Sequence, residues 1–142
     1  MTRHIALFLL IAGVATASTN EITVSTTVKV NKDAVQITRQ SGSLLVQMAG
    51  KRYNTQTISL TTTNQFLTKG SVQSAGWCYM RNLETNATAQ ANISFDGGAT
   101  TTMVFKAKEP ALFRLNPDAL VSNFTGAASS GSVDFEITVI ED

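Results

Sequence analysis

The sequence predicts an all-β protein: an antiparallel β-sandwich of about nine or ten short strands, with jelly-roll-like or immunoglobulin-like connectivity. Apolar and polar residues alternate with period two along several segments, most clearly at 22–30 and 133–139. Thr is abundant, and with Val and Ile it favours strands. Turn signals recur roughly every 8–12 residues, and no segment has a convincing 3.6-residue period. These observations do not separate the two connectivities, so both remain open.

Four strands are predicted in the first half of the chain, at residues 22–30, 34–39, 44–48 and 51–60. In the first, Ile22, Val24, Thr26, Val28 and Val30 share one face, because side chains alternate along a strand. A polar turn at 31–33 leads to the second strand, which Ser41 and Gly42 are expected to end. Ala49 and Gly50 turn the chain into the fourth strand. The polar stretch at 61–70 is predicted to be a loop or a short helical turn.

The second half is predicted to hold strands at 77–83, 86–95, 100–106, 111–115, 120–124 and 133–139. Asp96, Gly97 and Gly98 give the clearest hairpin signal, because glycine supplies the positive φ of a tight turn. Pro110 and Pro117 mark the next boundaries. The glycines and small residues at 126–131 predict a loop. The last strand alternates through Val133, Phe135, Ile137 and Val139.

Residues 1–17 resemble a secretory signal peptide. A short polar start precedes an apolar run at 5–14, and small residues stand at positions 15 and 17, which predicts cleavage before Ser18. The apolar run is far shorter than the roughly 20 residues that span a bilayer. The sequence therefore predicts a signal-peptide-like segment at 1–17 and a single β-sandwich domain at 18–142.

The composition offers little chemistry for catalysis. The 142 residues include 11 Lys and Arg, 10 Asp and Glu, one His and one Cys, with a net charge of +1. The balance gives no electrostatic reason to expect nucleic-acid or anionic-membrane binding. A nucleophilic cysteine needs a nearby base, and His4, the single histidine, lies in the signal-like segment, so Cys78 is interpreted as a buried thiol. We therefore predict no enzyme activity, no catalytic residues, no cofactor and no metal site.

Large aromatic residues are frequent after residue 76 and most fall at alternating strand positions. This placement favours core packing. A stacking surface for carbohydrate is the open alternative.

Four segments carry a family resemblance, the first of them at residues 20–24, Asn-Glu-Ile-Thr-Val. Residues 76–86 read Gly-Trp-Cys-Tyr-Met-Arg-Asn-Leu-Glu-Thr-Asn, residues 105–115 read Phe-Lys-Ala-Lys-Glu-Pro-Ala-Leu-Phe-Arg-Leu, and the chain ends in a strand at 133–142. They resemble patterns in small structural proteins of tailed bacteriophages, in which Arg-Asn-Leu-Asp and a later Phe-Arg-Leu recur. Ala107 and Lys108 depart from the glycine that usually precedes the glutamate.

The resemblance implies a non-enzymatic virion structural protein, either a capsid decoration protein or a tail or neck accessory protein. Such proteins act in symmetric assemblies, so the implied partners are copies of itself and other virion proteins, such as the major capsid or tail proteins. Neither nucleic acid nor, in the mature form, a membrane is an expected partner. The implied location is the virion. The alternative is an exported β-sandwich (periplasmic, secreted or on the cell surface) that forms a fibre or mediates adhesion, which would explain residues 1–17.

Four charged residues are candidates for a subunit contact or a buried ion pair. Arg81 and Arg114 lie within otherwise apolar predicted strands, where a cation needs a partner or an interface. Glu84 and Glu109 are the nearest plausible partners in the sequence.

Overall fold

The computed structural model describes residues 21–48, 50–116 and 123–141. Ten strands occur among them, and every pairing is antiparallel, which confirms the all-β prediction. In chain order they are β1 (Ile22–Lys32), β2 (Val35–Val46), β3 (Tyr53–Thr61), β4 (Gln65–Phe66), β5 (Ala75–Asn82), β6 (Ala91–Ser94), β7 (Met103–Phe105), β8 (Pro110–Arg114), β9 (Thr125–Ala128) and β10 (Ser132–Glu141). The predicted signal-like segment lies outside the described residues, as does most of the strand predicted at 120–124. No helix among the described residues is long and apolar enough to cross a membrane.

The first two strands form a hairpin, which is a compact unit of its own. A two-residue turn at Asp33 and Ala34 joins them, and Asp33 has a φ of 48°. The prediction that Ser41 and Gly42 end the second strand is wrong. The strand continues through them as a β-bulge opposite Thr26, whose N–H donates to Ser41 Oγ at 3.1 Å. A bulge adds one residue to a strand without ending it.

The remaining strands form a second unit, a sandwich of two four-stranded sheets. Sheet one has the order β3-β10-β5-β8, and sheet two has the order β4-β9-β6-β7. The pairs β6·β7, β5·β8, β4·β9 and β3·β10 together describe one long hairpin rolled into two layers. This wrapped arrangement of eight strands is a jelly roll. The described part of the domain predicted at 18–142 thus comprises two compact units, the hairpin and the jelly roll.

The core lies between the inner faces of the two sheets. The predicted alternation of the last strand is confirmed, because Val133, Phe135, Ile137 and Val139 are all fully buried on β10. The Phe135 ring packs edge-on against Phe105 of the other sheet, with ring centroids 5.2 Å apart. Most large aromatics of this half contribute to the core, as their alternating positions predicted.

The loop predicted at 126–131 is wrong over its first half. Thr125–Ala128 forms β9, which pairs with both β4 and β6 and is buried along its whole length. A Cβ on Gly126 would lie 3.0 Å from Leu60 Cδ1 and 3.1 Å from Ile93 Cδ1. A larger residue at position 126 would therefore crowd the two facing side chains, a constraint that turn statistics alone do not reveal.

The stretch at 61–70 also differs from its prediction. It contains the short strand β4, where the Phe66 side chain is 70% exposed. Leu67 is buried beside it, and its N–H donates to Phe124 O at 2.8 Å. The predicted strand at 86–95 is shorter than expected, because Asn86 Oδ1 accepts from Thr88 N at 3.1 Å and forms a turn before β6.

The turn at 96–98 is confirmed, since Gly97 and Gly98 have φ values of 79° and 96°. Asp96 Oδ1 accepts the hydroxyl of Ser94 and, at 3.0 Å, the N–H of Thr100. The Ser94 hydroxyl and the Thr100 N–H stabilise the charged carboxylate and lower the pKa of Asp96 to about 2.

We expect Asp96→Asn to flatten the acid limb of the stability profile. A carboxyl whose pKa is lower in the folded state stabilises the fold above its unfolded pKa of about 3.9. That contribution is lost as the pH falls from about 4 toward 2. Urea unfolding between pH 5 and pH 2 should show a smaller loss of stability with acid in the variant. An unchanged slope would contradict the assigned role of this carboxylate.

Candidate functional site

The β1–β2 hairpin, hereafter the arm, has one apolar face. The register places Val28, Val30, Val35 and Ile37 on the same side of the two strands, because directly paired residues share a face. All four side chains are exposed, from 40% at Val30 to 56% at Val28. Leu44 continues this face beyond the bulge and is 52% exposed. The opposite face at the same level is polar throughout: Thr27, Lys29, Asn31, Gln36, Thr38 and Gln40.

The charges of the arm are mostly positive, and two of the three cations lie on the apolar face. Arg39 pairs with Val28 and Lys32 pairs with Val35, so both cations share the side of the valines. Asp33 lies in the turn at the tip. An isolated two-stranded hairpin is marginally stable in water, and a hydrophobic face needs further strands or a helix to cover it. The apolar face is therefore left uncovered by the described residues at the tip of the arm.

The sequence identified this face but not its place in the fold. Period-two alternation correctly grouped Val24, Val28 and Val30 on one side of a strand. The same alternation is typical of a strand that lines a core. Alternation alone therefore does not show that the side chains of this face are exposed. One sequence feature does distinguish the arm from the strands of the core: it contains no aromatic residue, whereas aromatic residues are frequent after residue 76.

The two predicted arginines lie on the outer surface of sheet one. Arg81, on β5, is exposed, and Arg114, on β8, is exposed with its guanidinium carbon 5.8 Å from the ring centroid of Trp77. That distance is within the range of a cation–π interaction. In the single chain neither arginine is buried.

The two predicted glutamates contact backbone. Glu84 is half-buried, and its Oε1 accepts the N–H of Asp134 at 3.0 Å. Glu109 is exposed, and its Oε2 accepts the N–H of Lys106 at 2.8 Å. The Glu84 carboxylate therefore ties the chain after β5 to β10, whereas the Glu109 carboxylate stabilises the turn between β7 and β8. The subunit contact proposed for the four residues stays a prediction.

Cys78 is fully buried on the inner face of β5. Burial raises the pKa of its thiol to about 12, because the apolar core disfavours the thiolate. At neutral pH the side chain is a neutral thiol packed in the core, as the sequence predicted.

Asn82 is a buried polar residue that the sequence did not single out. Its Nδ2 donates to Ala89 O at 3.1 Å and to Phe105 O at 3.0 Å, and its Oδ1 accepts from Glu84 N at 3.0 Å. The side chain is completely buried. It joins β5 to the chain before β6 and to β7, so its role is structural.

Among the described residues, no three His, Cys, Asp or Glu side chains come together as metal ligands would. Comparison with protein-family models, with curated proteins and with solved structures gives no match.

Proposed function

We propose that this protein is a non-enzymatic structural component of a phage virion, of the capsid decoration or tail or neck accessory kind. In this proposal it acts through protein–protein contacts in a symmetric assembly. The observation that carries it is the arm, whose exposed apolar face and small size suit a contact made on assembly. The arm's neighbour in the assembly would be another virion subunit.

Two further observations are compatible with a virion role. The segments at 76–86 and 105–115 resemble those of small phage structural proteins. The jelly roll is a fold of viral capsid domains, although lectins and cupins also use it, so this support is an analogy of fold.

A direct test is the protein content of purified phage particles from cells that make this chain. Mass spectrometry should find it in the particles in a fixed ratio to the major capsid protein. Its presence only in the envelope or medium, with an N-terminus at Ser18, would instead favour the alternative: an exported fibre or adhesion protein, which residues 1–17 suggest.

The double variant Val30→Lys/Ile37→Lys should lose its place in the particle while the jelly roll stays folded. The two residues are directly paired on the exposed face of the arm. Burying either side chain at a contact stabilises that contact by about 1.5 kcal/mol or more. A change of about 1.4 kcal/mol corresponds to a tenfold change in affinity. We therefore expect roughly a hundredfold weaker incorporation, measured by quantitative mass spectrometry of particles.

The matched control is Asn31→Lys/Gln36→Lys, which adds the same charge to the neighbouring pair on the polar face. This control should be incorporated like the natural protein. Equal incorporation of both double variants would argue against the arm as the assembly contact.

A further inference from the structure

Sheet one ends at β3, and this edge lacks the usual protection. Among the described residues, β3 (Tyr53–Thr61) has a partner on one side only, because the sheet order is β3-β10-β5-β8. Its nine residues, Tyr-Asn-Thr-Gln-Thr-Ile-Ser-Leu-Thr, include no charge and no proline. Its register with β10 is continuous, without a bulge. Natural proteins discourage edge-to-edge pairing with short edges, charges, prolines or bulges, and β3 has none of these.

The other edge strands that the structure describes each have at least one such device. β4 and β7 have only two and three residues, and β8 begins with Pro110 and ends with Arg114. In the arm, β1 contains Lys29 and Lys32, and β2 contains Arg39 and the bulge. The contrast indicates that β3 is an edge kept open for pairing.

The backbone groups at this edge are identified by the ladder on the other side. Glu141 N donates to Arg52 O at 2.9 Å, so Arg52 points its backbone groups toward β10. The direction of the backbone N–H and C=O groups alternates from residue to residue along an antiparallel strand. The backbone groups that point away from β10 are therefore those of Tyr53, Thr55, Thr57 and Ser59. Among the described residues, no hydrogen bond reaches the backbone N–H or C=O of these four. At the far end, Thr61 N donates to Gln65 Oε1 at 2.7 Å and closes the open stretch.

We propose that β3 pairs antiparallel with β3 of a second copy of this chain, about a two-fold axis through Thr57. In that register Thr57 faces its own counterpart, and Thr55 faces Ser59 of the second copy. Hydroxyl-bearing residues directly opposite one another form favourable cross-strand pairs. The inference concerns the jelly roll alone and does not depend on the proposed virion role.

The charges around the edge are compatible with self-pairing. Lys51 and Arg52 precede β3, and no charged residue follows it before Lys69. Antiparallel pairing about Thr57 sets each cation pair beside the neutral end of the other strand, at residues 62–63. The cations of the two copies are then at opposite ends of the contact, so like charges do not meet.

The size of the contact predicts its strength. A nine-residue strand is about 30 Å long, and pairing along one edge buries less than the roughly 1,600 Å² of a standard interface. We therefore expect a dimer that dissociates on dilution, with its local concentration raised wherever copies are held together in an assembly.

Disulfide trapping in the full-length protein tests the register. In a hydrogen-bonded antiparallel pair the Cα atoms are about 5.5 Å apart, which is within the range of a disulfide. Thr57→Cys should therefore form a covalent dimer under mild oxidation at tens of micromolar protein. Thr55→Cys is the matched control, because its counterpart would lie four residues away along the strand, about 13 Å, and its dimer should form at least tenfold more slowly. The natural Cys78 does not compete, since it is buried.

Equal rates for the two cysteine variants, or no covalent dimer with Thr57→Cys, would overturn the proposal. Adding Val30→Lys/Ile37→Lys to the Thr57→Cys protein should leave trapping unchanged, and a loss of trapping would assign the contact to the arm instead. Without any cysteine change, Thr57→Lys should keep the far-ultraviolet circular dichroism of the natural protein. Its mass in sedimentation equilibrium should stay that of the monomer at concentrations where the natural chain dimerises. A Thr57→Lys dimer as strong as the natural one would equally overturn it.

Discussion

Replacing Asn82 by aspartate is expected to destabilise the protein by about 3–5 kcal/mol at neutral pH, the cost of an uncompensated buried charge. The Nδ2 of Asn82 donates to two carbonyl oxygens, those of Ala89 and Phe105. A carboxylate of the same shape would place an anionic oxygen against both of them. Since domains of this kind are stable by only about 5–15 kcal/mol in total, urea unfolding should shift to a much lower midpoint.

The same variant should become more stable as the pH falls. Burial and the facing carbonyl oxygens disfavour the charged form, so the pKa of the new carboxyl in the folded state lies above its unfolded value of about 3.9. The folded state then binds more protons than the unfolded state between the two values, and its stability rises with acid. Asn86→Asp is the matched control, because Asn86 is exposed and its side chain bonds Thr88 through Oδ1, an atom that an aspartate keeps. Equal stability of Asn82→Asp and Asn86→Asp at pH 7 would contradict this account.

Phe135→Ala is expected to cost about 3–5 kcal/mol, the usual range for removing a phenyl group from a packed core. Phe135 is fully buried in the middle of β10 and packs edge-on against Phe105 of the opposite sheet. The truncation removes contacts between the two layers and leaves a cavity there. Denaturant unfolding followed by tryptophan fluorescence should report the loss, since Trp77 lies in the same sheet.

Phe66→Ala makes the same chemical change at a side chain that is 70% exposed on β4. A surface truncation of this kind usually changes stability by no more than about 0.5 kcal/mol. Similar losses for the two variants would mean that Phe135 does not have the central packing role assigned to it.

Local signals predicted those parts of the fold that local physics determines. The alternation at 133–139 identified the buried side of β10 because a strand that lines a core on one side must alternate. Asp96, Gly97 and Gly98 identified a turn because positive φ is costly for most other residues. Neither feature depends on a distant partner.

Other features of the fold depend on contacts between residues that are distant in the sequence, and local patterns did not predict them. The composition at Gly126 is typical of a loop, yet Thr125–Ala128 pairs with β4 and β6, and the side chains of Leu60 and Ile93 pack closely against Gly126. The burial of Asn82 is invisible without the carbonyl groups of Ala89 and Phe105. The exposed face of the arm has the same pattern as a core strand, so its interpretation required the tertiary structure.

The topology of the jelly roll limits the order in which its strands can pair during synthesis. The central pair β6·β7 joins neighbours in the chain, whereas β3 pairs with β10, whose residues follow it by about 80 positions, as in the pairing of Tyr53 with Ile140. On the ribosome, β3 and β5 emerge long before the strand that lies between them. Until Ser132–Glu141 is synthesised, β3 has two open edges instead of one. We therefore expect slow closure, as in other folds rich in distant contacts, and an early period in which two nascent chains could pair through β3 before either has folded.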